Sequence, residues 1–385
     1  MSRPAARPRI AFVVASEMTV RTGLGMHLRA LAERYDLAVV ADTGNARLLS
    51  DLGVAGTVFP VRIQRSIAVA ADLRALGALV RLFRRERFDA VHSLTPKAGL
   101  LGMSAAKVAR VPMRTHTFTG QVWATRTGAP RAFLRALDGA THRASTFSLV
   151  DSPSQRAFLL AEGVLRPDAS GVLASGSLTG VNTARYRPDP AARAAVRAEW
   201  GVADDDVLFL QLGRITRDKG PLDLAAAFAQ VAGRAPHARL AFVGPDEGLA
   251  AEVRAAAGGA ARIMDRFTTE PERFLAAADV LCLPSYREGF GSVVIEAAAA
   301  GIPAVASRIY GVTDAVVDGV TGLLHAPGDV DGLAGHVERL ARDAPLRTRL
   351  GAAAQARAVA EFSEARVVEA MLAYYAERLG VASAR

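Results

Sequence analysis

The stretch that most constrains this chain is SYREGFGSVVIEAAAA at residues 285–300, which follows the apolar segment DVLCLP and ends at Gly301. Its composition predicts a strand, then a loop containing Gly289 and Gly291, then a helix whose first turn Ser292 can cap. Such a loop directs several unpaired backbone N–H groups, and the positive end of a helix dipole, toward one point. That point suits a phosphate group.

Two carboxylates flank this predicted phosphate site. Glu288 lies in the loop, and Glu296, eight positions further along, falls in the first turns of the helix, from which it can reach hydroxyl groups beyond the phosphate. Taken singly, each glutamate is equally consistent with an ordinary acidic residue near a helix N-terminus. The two glutamates together with the glycine loop make a more specific pattern.

The segment EGFG at residues 288–291, with Glu296, resembles the E-x7-E signature of retaining, nucleotide-sugar-dependent glycosyltransferases of the GT-B fold, the family 4 group. Further matches occur in the expected order at Gly213-Arg214, Lys219-Gly220, Asp318-Gly319 and residues 321–324. The resemblance covers most of the chain and implies an α/β fold with two Rossmann-like parallel-sheet domains facing a central cleft. It leaves the identity of the sugar open.

The resemblance also implies roles for individual residues. His116 and Glu288 would position the transferred sugar, Arg214 and Lys219 would hold the donor diphosphate, and Glu296 would face the ribose. The other residues assigned to the donor are Gly23, Gly25, Phe267, Gly289, Phe290, Gly291 and Ser292. For Phe267, in the loop expected to meet the nucleobase, a place in the core is the alternative.

The length of the chain and one interruption of its sequence pattern predict the domain organisation. At 385 residues the chain exceeds one ordinary core, so two domains are expected. Residues 175–188 interrupt the pattern with Gly, Ser, Asn and Pro, as a linker would. We therefore predict an N-terminal domain at 1–182 and a nucleotide-sugar-binding domain at 183–362. In GT-B proteins the last helix, here within 363–385, crosses back to the first domain.

Short apolar strands alternate with helical stretches along the chain. In the first half, residues 10–15 and 37–41 read as strands, with a helix at 25–34 between them. In the second half, residues 207–212 and 280–283 read as strands, each followed by a loop and a helix. This alternation predicts parallel sheets covered on both faces.

The positive charge is concentrated in the first half. Residues 1–188 contain 26 Lys plus Arg against 12 Asp plus Glu, a net +14, whereas the whole chain carries +9. Residues 72–87 predict an amphipathic helix with a basic face. A positively charged N-terminal half suits an anionic partner, which is an acceptor phosphate, a membrane surface or a nucleic acid. An Arg-rich composition with a merely solvated helix face is the alternative.

Residues 114–137 are the most informative part of this half. His116 ends a basic strand-like segment and precedes a glycine and threonine loop that contains Trp123 and Arg126. An indole and several arginines in a loop suit an amphipathic acceptor or a membrane interface, although Trp123 is equally acceptable in a core. We predict acceptor or membrane contacts for Trp123 and Arg126.

Several kinds of site and segment are not expected. No apolar run approaches the roughly 18 to 20 residues that span a bilayer. Cys282 is the only cysteine, so an intrachain disulfide is excluded and a reducing compartment is predicted. The acidic triplet at residues 204–206 lacks partner ligands in the sequence, so we expect neither a metal nor another cofactor.

Three functions are compatible with these features. The first is a retaining glycosyltransferase that uses a UDP-sugar and a glycan or lipid-linked acceptor at the cytoplasmic face of an anionic membrane. The second is a GT-B nucleotide-sugar epimerase or hydrolase, and the third is a nucleotide- or nucleic-acid-binding module without catalysis. Sparse aromatic residues argue against nucleic acid, because single strands stack on aromatic side chains. We predict the first function.

Overall fold

The computed structural model describes residues 7–64, 68–258 and 261–380, and it divides the chain into two compact units. Unit 1 comprises residues 1–179 and 365–385, and unit 2 comprises 180–364. Each unit contains a parallel β-sheet, so the predicted α/β class with two Rossmann-like sheets is confirmed. The ends of the chain that we assigned to the first domain and to the last helix, 1–6 and 381–385, lie outside the described residues.

Unit 1 is built on a sheet of seven parallel strands among its described residues. The strands are β1 (Arg9–Val13), β2 (Asp36–Ala41), β3 (Thr57–Pro60), β4 (Ala90–Leu94), β5 (Met113–Phe118), β6 (Phe147–Val150) and β7 (Ser170–Val172). The helices are α1 (Glu17–Thr19), α2 (Gly25–Ala32), α3 (Val69–Glu86), α4 (Pro96–Val108), α5 (Gly128–Ala144) and α6 (Pro153–Ala161). The strand order is β3-β2-β1-β4-β5-β6-β7, and the central strands are buried on both faces, as their apolar sequences require.

Unit 2 repeats the plan with six parallel strands among its described residues. The strands are β8 (Val207–Leu212), β9 (Ala238–Val243), β10 (Ala261–Met264), β11 (Val280–Leu283), β12 (Ala304–Ser307) and β13 (Gly322–His325). The helices are α7 (Pro190–Trp200), α8 (Pro221–Val231), α9 (Ala250–Ala256), α10 (Pro271–Ala277), α11 (Ser292–Ala299), α12 (Val312–Ala315), α13 (Val330–Arg342) and α14 (Ala344–Phe362). The strand order is β10-β9-β8-β11-β12-β13.

The last helix, α15 (Glu364–Leu379), packs on the sheet of unit 1 although it follows unit 2 in the sequence. The hydroxyl groups of its two buried tyrosines bond to strand residues: Tyr374 to Thr115 Oγ1 and Tyr375 to His92 Nδ1, both at 2.7 Å. Buried tyrosines need such partners for their polar ends. These bonds attach α15 to strands β4 and β5.

Both sheets have a point at which the strand order reverses. In unit 1 it lies between β1 and β4, and in unit 2 between β8 and β11. Open α/β sheets bind ligands at such switch points, outside the carboxyl ends of the strands. The loops that follow β8 and β11 are therefore the expected binding loops of unit 2.

Residues 279–300 fold as the sequence predicts, into strand β11, a loop and helix α11. The amphipathic helix predicted at 72–87 is α3, which begins three residues earlier. In the described part of the chain, no helix combines the length and the apolar character that a membrane span requires.

Candidate active site

The loops after β8 and β11 meet at the switch point of unit 2. Gly220, in the first loop, has a φ of +64°, and a Cβ at this position would lie 2.1 Å from the carbonyl oxygen of Pro284 in the second loop. Any side chain there would clash with backbone, so glycine is required for the two loops to come this close. The sequence motif Lys219-Gly220 therefore has a packing reason as well as a predicted binding role.

An ion pair joins the two loops. Lys219 Nζ lies 2.6 Å from Glu288 Oε1, and the two side chains are 22% and 12% exposed. Next to this pair, Arg287 Nη2 lies 2.7 Å from Asp218 Oδ2. The structure thus brings together two residues that are far apart in the chain, one of which the family resemblance assigns to the diphosphate and the other to the sugar.

Helix α11 begins beside this ion pair. Gly291, with a φ of +82°, is its N-cap residue and has no side chain with which to cap the first turn. The prediction that Ser292 caps the helix is wrong, because Ser292 is already the first helical residue. A glycine at the N-cap lets an anionic ligand approach the backbone N–H groups at the helix N-terminus closely.

Phe290 is not positioned to contact a donor through its ring. The side chain is 2% exposed and packs edge-on against Phe362, with ring centroids 5.2 Å apart, in the core of unit 2. An apolar ring next to two flexible glycines gains more from burial than from exposure in the loop. Its predicted donor contact is therefore restricted to backbone atoms. Gly289, the preceding residue, leaves its carbonyl oxygen close to Gly311, where a Cβ would lie 2.4 Å away.

Glu296 lies half-buried on α11, with Tyr186 and Arg185 among the residues that shift its pKa. Burial raises the pKa of Glu296 to about 7, while the hydrogen bond from Tyr186 and the charge of Arg185 act in the opposite direction. Arg185 is itself held by Glu272, 2.8 Å away. Tyr186 and Arg185 were not predicted from the sequence, since they lie at the start of unit 2, more than 100 residues before α11.

Arg214 lies in the loop after β8, and Phe267 follows β10 of the same sheet, also at the carboxyl end. Arg214 Nη1 lies 2.6 Å from Glu247 Oε1, and the two side chains are 43% and 50% exposed. Phe267, after β10, is 57% exposed, so the core alternative for this residue is wrong. An exposed aromatic ring at this edge is free to stack on a ligand.

His116 is buried near the carboxyl end of β5 in unit 1. Its Nδ1 lies 2.9 Å from Ser93 Oγ, and a Cβ at Gly99 would lie 2.3 Å from its ring. Burial lowers the pKa of His116 to about 3, so the imidazole is neutral at physiological pH. A neutral imidazole can exchange hydrogen bonds with sugar hydroxyls, and His116 lines a small pocket with Thr95, Phe118 and Asp138.

Gly23 and Gly25 follow β1. Gly23 lies in a helical turn at Val20–Leu24, and Gly25 is the first residue of α2. Neither has a positive φ, so the backbone conformation alone does not require glycine at these positions. Their predicted contact with the donor stays a prediction.

Trp123 does not form part of a surface. Its side chain is 0% exposed, its Nε1 donates to Asp138 Oδ2 at 2.7 Å, and its ring stacks on Phe158. The predicted acceptor or membrane contact of Trp123 is therefore wrong, because the indole finds both an apolar neighbour and a hydrogen-bond acceptor inside unit 1. Arg126, in the same loop, is exposed. Burial raises the pKa of Asp138 to about 6, against the effect of the indole N–H.

The acidic triplet has a neighbour that the sequence did not reveal. His237 Nδ1 lies 3.5 Å from Asp205 Oδ2 and 3.8 Å from Asp206 Oδ1, so the expectation that no partner ligand is present is wrong. However, Arg239 Nη2 lies 2.8 Å from the same Asp206 oxygen. The group lies at the amino ends of β8 and β9, opposite the binding loops. The guanidinium of Arg239 already supplies a positive charge there.

Comparison with known proteins gives concordant matches to both units. Residues 192–357 match the family described as glycosyl transferases group 1, and residues 19–172 match the glycosyl transferase 4-like domain. The capsular polysaccharide biosynthesis glycosyltransferase CapM of Staphylococcus aureus is 26% identical over 350 residues, 89% of this chain and 90% of that protein. The D-inositol 3-phosphate glycosyltransferase of Stackebrandtia nassauensis is 30% identical over 311 residues, which cover 76% of this chain and 69% of that protein.

A solved structure matches the fold. The crystal structure of Anabaena HepE in complex with UDP and glucose superimposes with a TM-score of 0.78 at 20% sequence identity. The match covers 96% of this chain and 100% of that one. Likeness at this level of identity concerns the fold.

Proposed function

The chain belongs to the group 1 glycosyl transferases, and we propose that it moves a sugar from a nucleoside diphosphate sugar to a glycan or lipid-linked acceptor in surface-polysaccharide synthesis. The single observation on which this depends is the Lys219–Glu288 ion pair at the switch point of unit 2, four residues before the N-terminus of α11, whose N-cap residue is Gly291. There a cation, a helix dipole and a carboxylate converge where an open α/β sheet binds its ligand. The first two suit a diphosphate, and the third suits a sugar.

UDP is the nucleotide that we propose for the donor. The fold is shared with HepE, whose crystal structure contains UDP and glucose. The exposed ring of Phe267 offers a stacking surface for a base, and Glu296 offers an acceptor for ribose hydroxyls. A uracil, a ribose and a diphosphate would then lie along the carboxyl edge of β10, β9, β8 and β11.

The proposed reaction is a retaining transfer. The bond between the anomeric carbon and the diphosphate oxygen breaks, and its electron pair leaves with the diphosphate. The acceptor hydroxyl oxygen bonds to the anomeric carbon on the face from which the diphosphate leaves, and the hydroxyl proton passes to the departing diphosphate oxygen. Arg214, Lys219 and the N-terminus of α11 stabilise the growing negative charge, and Glu288 binds the sugar.

A lipid-linked acceptor would require the enzyme to reach a membrane surface, and α3 is suited to contact one. The exposed residues within this helix are Val69, Ala70, Leu73, Arg74, Gly77, Arg81, Arg84 and Arg85. Its two acidic residues are engaged by cations: Asp72 Oδ1 lies 2.6 Å from Lys97 Nζ, and Glu86 Oε2 lies 3.1 Å from Arg9 Nη2. The outer face of α3 is therefore apolar and basic, a combination that binds anionic lipid surfaces. We place the enzyme at the cytoplasmic face of the membrane, as a peripheral protein.

The direct test is to incubate the protein with a panel of nucleotide sugars and a lipid extract, and to analyse the products by mass spectrometry. We expect a glycosylated lipid or glycan that forms from one donor and whose mass increases by one sugar residue. An isomerised or hydrolysed donor, formed equally with and without extract, would instead identify an epimerase or hydrolase. Binding of nucleotide without any new product would identify a non-catalytic module.

A further inference from the structure

The loop after β11 anchors its own carboxylate through a buried hydroxyl group. Ser285 Oγ donates a hydrogen bond to Glu288 Oε1 at 2.8 Å, and Ser285 is 0% exposed. Lys219 Nζ donates to the same oxygen at 2.6 Å. Among the described residues, no hydrogen bond reaches the other carboxylate oxygen, Oε2. One oxygen of Glu288 is therefore held by the protein, and the other is available to a ligand.

We propose that Ser285 is a positioning residue, which fixes Glu288 through Oε1 so that Oε2 accepts a hydrogen bond from a hydroxyl of the donor sugar. The inference rests on the proposed function, because it takes Glu288 as the residue that binds the sugar. Ser285 itself does not contact the substrate, since its side chain is fully buried.

The two anchors of Oε1 differ in what they do when the donor binds. Lys219 is also the proposed ligand of the diphosphate, and an ammonium shared with a phosphate bonds a carboxylate less strongly than an unshared one. The Ser285 hydroxyl has no such competitor, because no ligand reaches it. Ser285 therefore remains attached to Glu288 through the reaction, while the contact from Lys219 weakens.

Other contacts fix the backbone of the loop after β11, so the Ser285–Glu288 hydrogen bond acts on the position of the carboxylate alone. Tyr286 N donates to the Asp218 carbonyl at 2.9 Å, and Arg287 Nη2 donates to Asp218 Oδ2 at 2.7 Å. The backbone on the N-terminal side of Glu288 is thus attached to the loop after β8. These contacts do not hold the side chain of Glu288, which is held instead by the Ser285 hydroxyl and by Lys219. A carboxylate misplaced by about 1 Å can slow a reaction by about 100-fold.

The experiment compares S285A with S307A. Ser307 is also a 0% exposed serine at the carboxyl end of a strand of the same sheet, and its Oγ has no hydrogen-bond partner among the described residues. Both variants therefore remove one buried hydroxyl, but S285A alone removes a bond to Glu288. We would measure kcat with saturating donor and acceptor, the Kd of UDP by calorimetry and the Tm of each variant. S285T, which keeps a hydroxyl group, is the rescue variant.

We expect S285A to lower kcat roughly 10- to 100-fold, with the Kd of UDP and the Tm close to those of the wild type. S307A should retain the wild-type kcat, and S285T should recover most of the activity that S285A loses. The inference fails if S285A turns over like the wild type, if S307A is equally slow, or if S285A weakens UDP binding as strongly as turnover. A wild-type protein that yields no glycosylated product would instead overturn the proposed function, so the two failures are distinguishable.

Discussion

Lys219 Nζ and Glu288 Oε1 lie 2.6 Å apart, although 69 positions separate the two residues in the chain. The pair forms because β8 and β11 are neighbours in the sheet, so that the loops that follow them meet. In the absence of donor, the carboxylate neutralises the cation that is proposed to hold the diphosphate. An arriving diphosphate therefore has to compete for Lys219, and this competition brings the phosphate next to the sugar-binding carboxylate.

The first prediction concerns the two cations proposed to face the diphosphate. R214A and K219A should each lower kcat about 100- to 1000-fold, because each removes a preorganised positive group from a developing negative charge. R217A is the matched control, since Arg217 lies in the same loop but is 72% exposed and pairs with Glu252. Steady-state kinetics and thermal unfolding would be recorded for all three. R214A or K219A with a normal Tm and near wild-type kcat would contradict the assignment.

A second prediction concerns stability in unit 1. W123F removes the indole N–H that donates to the half-buried Asp138 carboxylate at 2.7 Å, which should lower the free energy of unfolding by about 1 to 3 kcal/mol. The pKa of Asp138 is raised to about 6, so the folded state favours the protonated carboxyl. The stability that this group contributes is present below its ordinary pKa of 3.8 and is lost as the pH rises through about 6.

The loss caused by W123F should therefore be larger at pH 8, where the half-buried carboxylate is charged, than at pH 4.5. Urea unfolding at the two pH values measures the difference. In a D138N background, the loss of unfolding free energy caused by W123F should no longer depend on pH. Only the effect of the lost ring packing should remain. An equal loss at both pH values with Asp138 present would show that the hydrogen bond to the carboxylate is not what stabilises this site.

Local structure around the site was predictable from the sequence, whereas contacts between distant residues were not. The strand, glycine loop and helix at residues 279–300 were predictable, because hydrophobic pattern and glycine spacing act locally. The ion pair of Glu288 with Lys219 was not predictable, since it depends on β8 and β11 being neighbours in the sheet. The prediction that Trp123 contacts an acceptor or a membrane was wrong because it also depended on a partner outside the loop. That partner, Asp138, lies 15 residues later on α5. Without it, an indole in an Arg-rich loop looks like one at a membrane interface.

Two smaller errors occur around α11, one with a local cause and one with a distant cause. A serine after a glycine predicts a side-chain cap, but Gly291, with a positive φ, is the N-cap residue, which leaves Ser292 as the first residue of the helix. Phe290 was assigned to the donor because it lies inside the motif. Its ring instead packs on Phe362 of α14, which the local sequence could not reveal.

A third prediction concerns the membrane. The triple variant R74Q/R81Q/R84Q should reduce flotation on anionic liposomes, since each arginine near the surface contributes about 1 kcal/mol. Binding of the wild type should also weaken at high salt, because the attraction is screened within roughly 8 to 10 Å at ordinary ionic strength.

The control for this variant removes the same charge from unit 2, as R254Q/R339Q/R349Q, whose three arginines are exposed. It should float like the wild type. Equal flotation on neutral and anionic liposomes, or an equal loss in both triple variants, would argue against a specific role of the outer face of α3.

A fourth prediction is that turnover does not need a divalent cation. Arg214, Lys219 and the N-terminus of α11 are proposed to supply the positive charge that a metal supplies in other transferases. Activity should persist after dialysis against EDTA, and H237A should behave like the wild type, because His237 lies at the opposite edge of the sheet. Activity that vanishes with EDTA and returns with Mn²⁺ would show that the diphosphate is neutralised by a metal.

The last prediction separates Glu288 from Glu296. A contact that tightens as the bond breaks affects kcat, whereas a contact that is equally strong throughout affects KM. E288Q should therefore mainly lower kcat and spare UDP affinity, while E296Q should weaken UDP binding and raise the donor KM. If E288Q abolishes UDP binding and E296Q leaves it unchanged, the two roles are reversed.

The pH dependence of UDP affinity provides the second half of this test, because the pKa of Glu296 is raised to about 7. An ionised carboxylate accepts hydrogen bonds from ribose hydroxyls better than a protonated one, so affinity should rise as the pH increases through 7. If the ionised form alone binds, the change between pH 6 and pH 8 approaches roughly tenfold. E296Q cannot titrate, so it should bind weakly and lack this part of the pH dependence. Titration of UDP itself affects both proteins equally, and the difference between their pH profiles therefore reports on Glu296. Calorimetry at pH 6, 7 and 8 measures it, and parallel profiles for the two proteins would remove Glu296 from the ribose site.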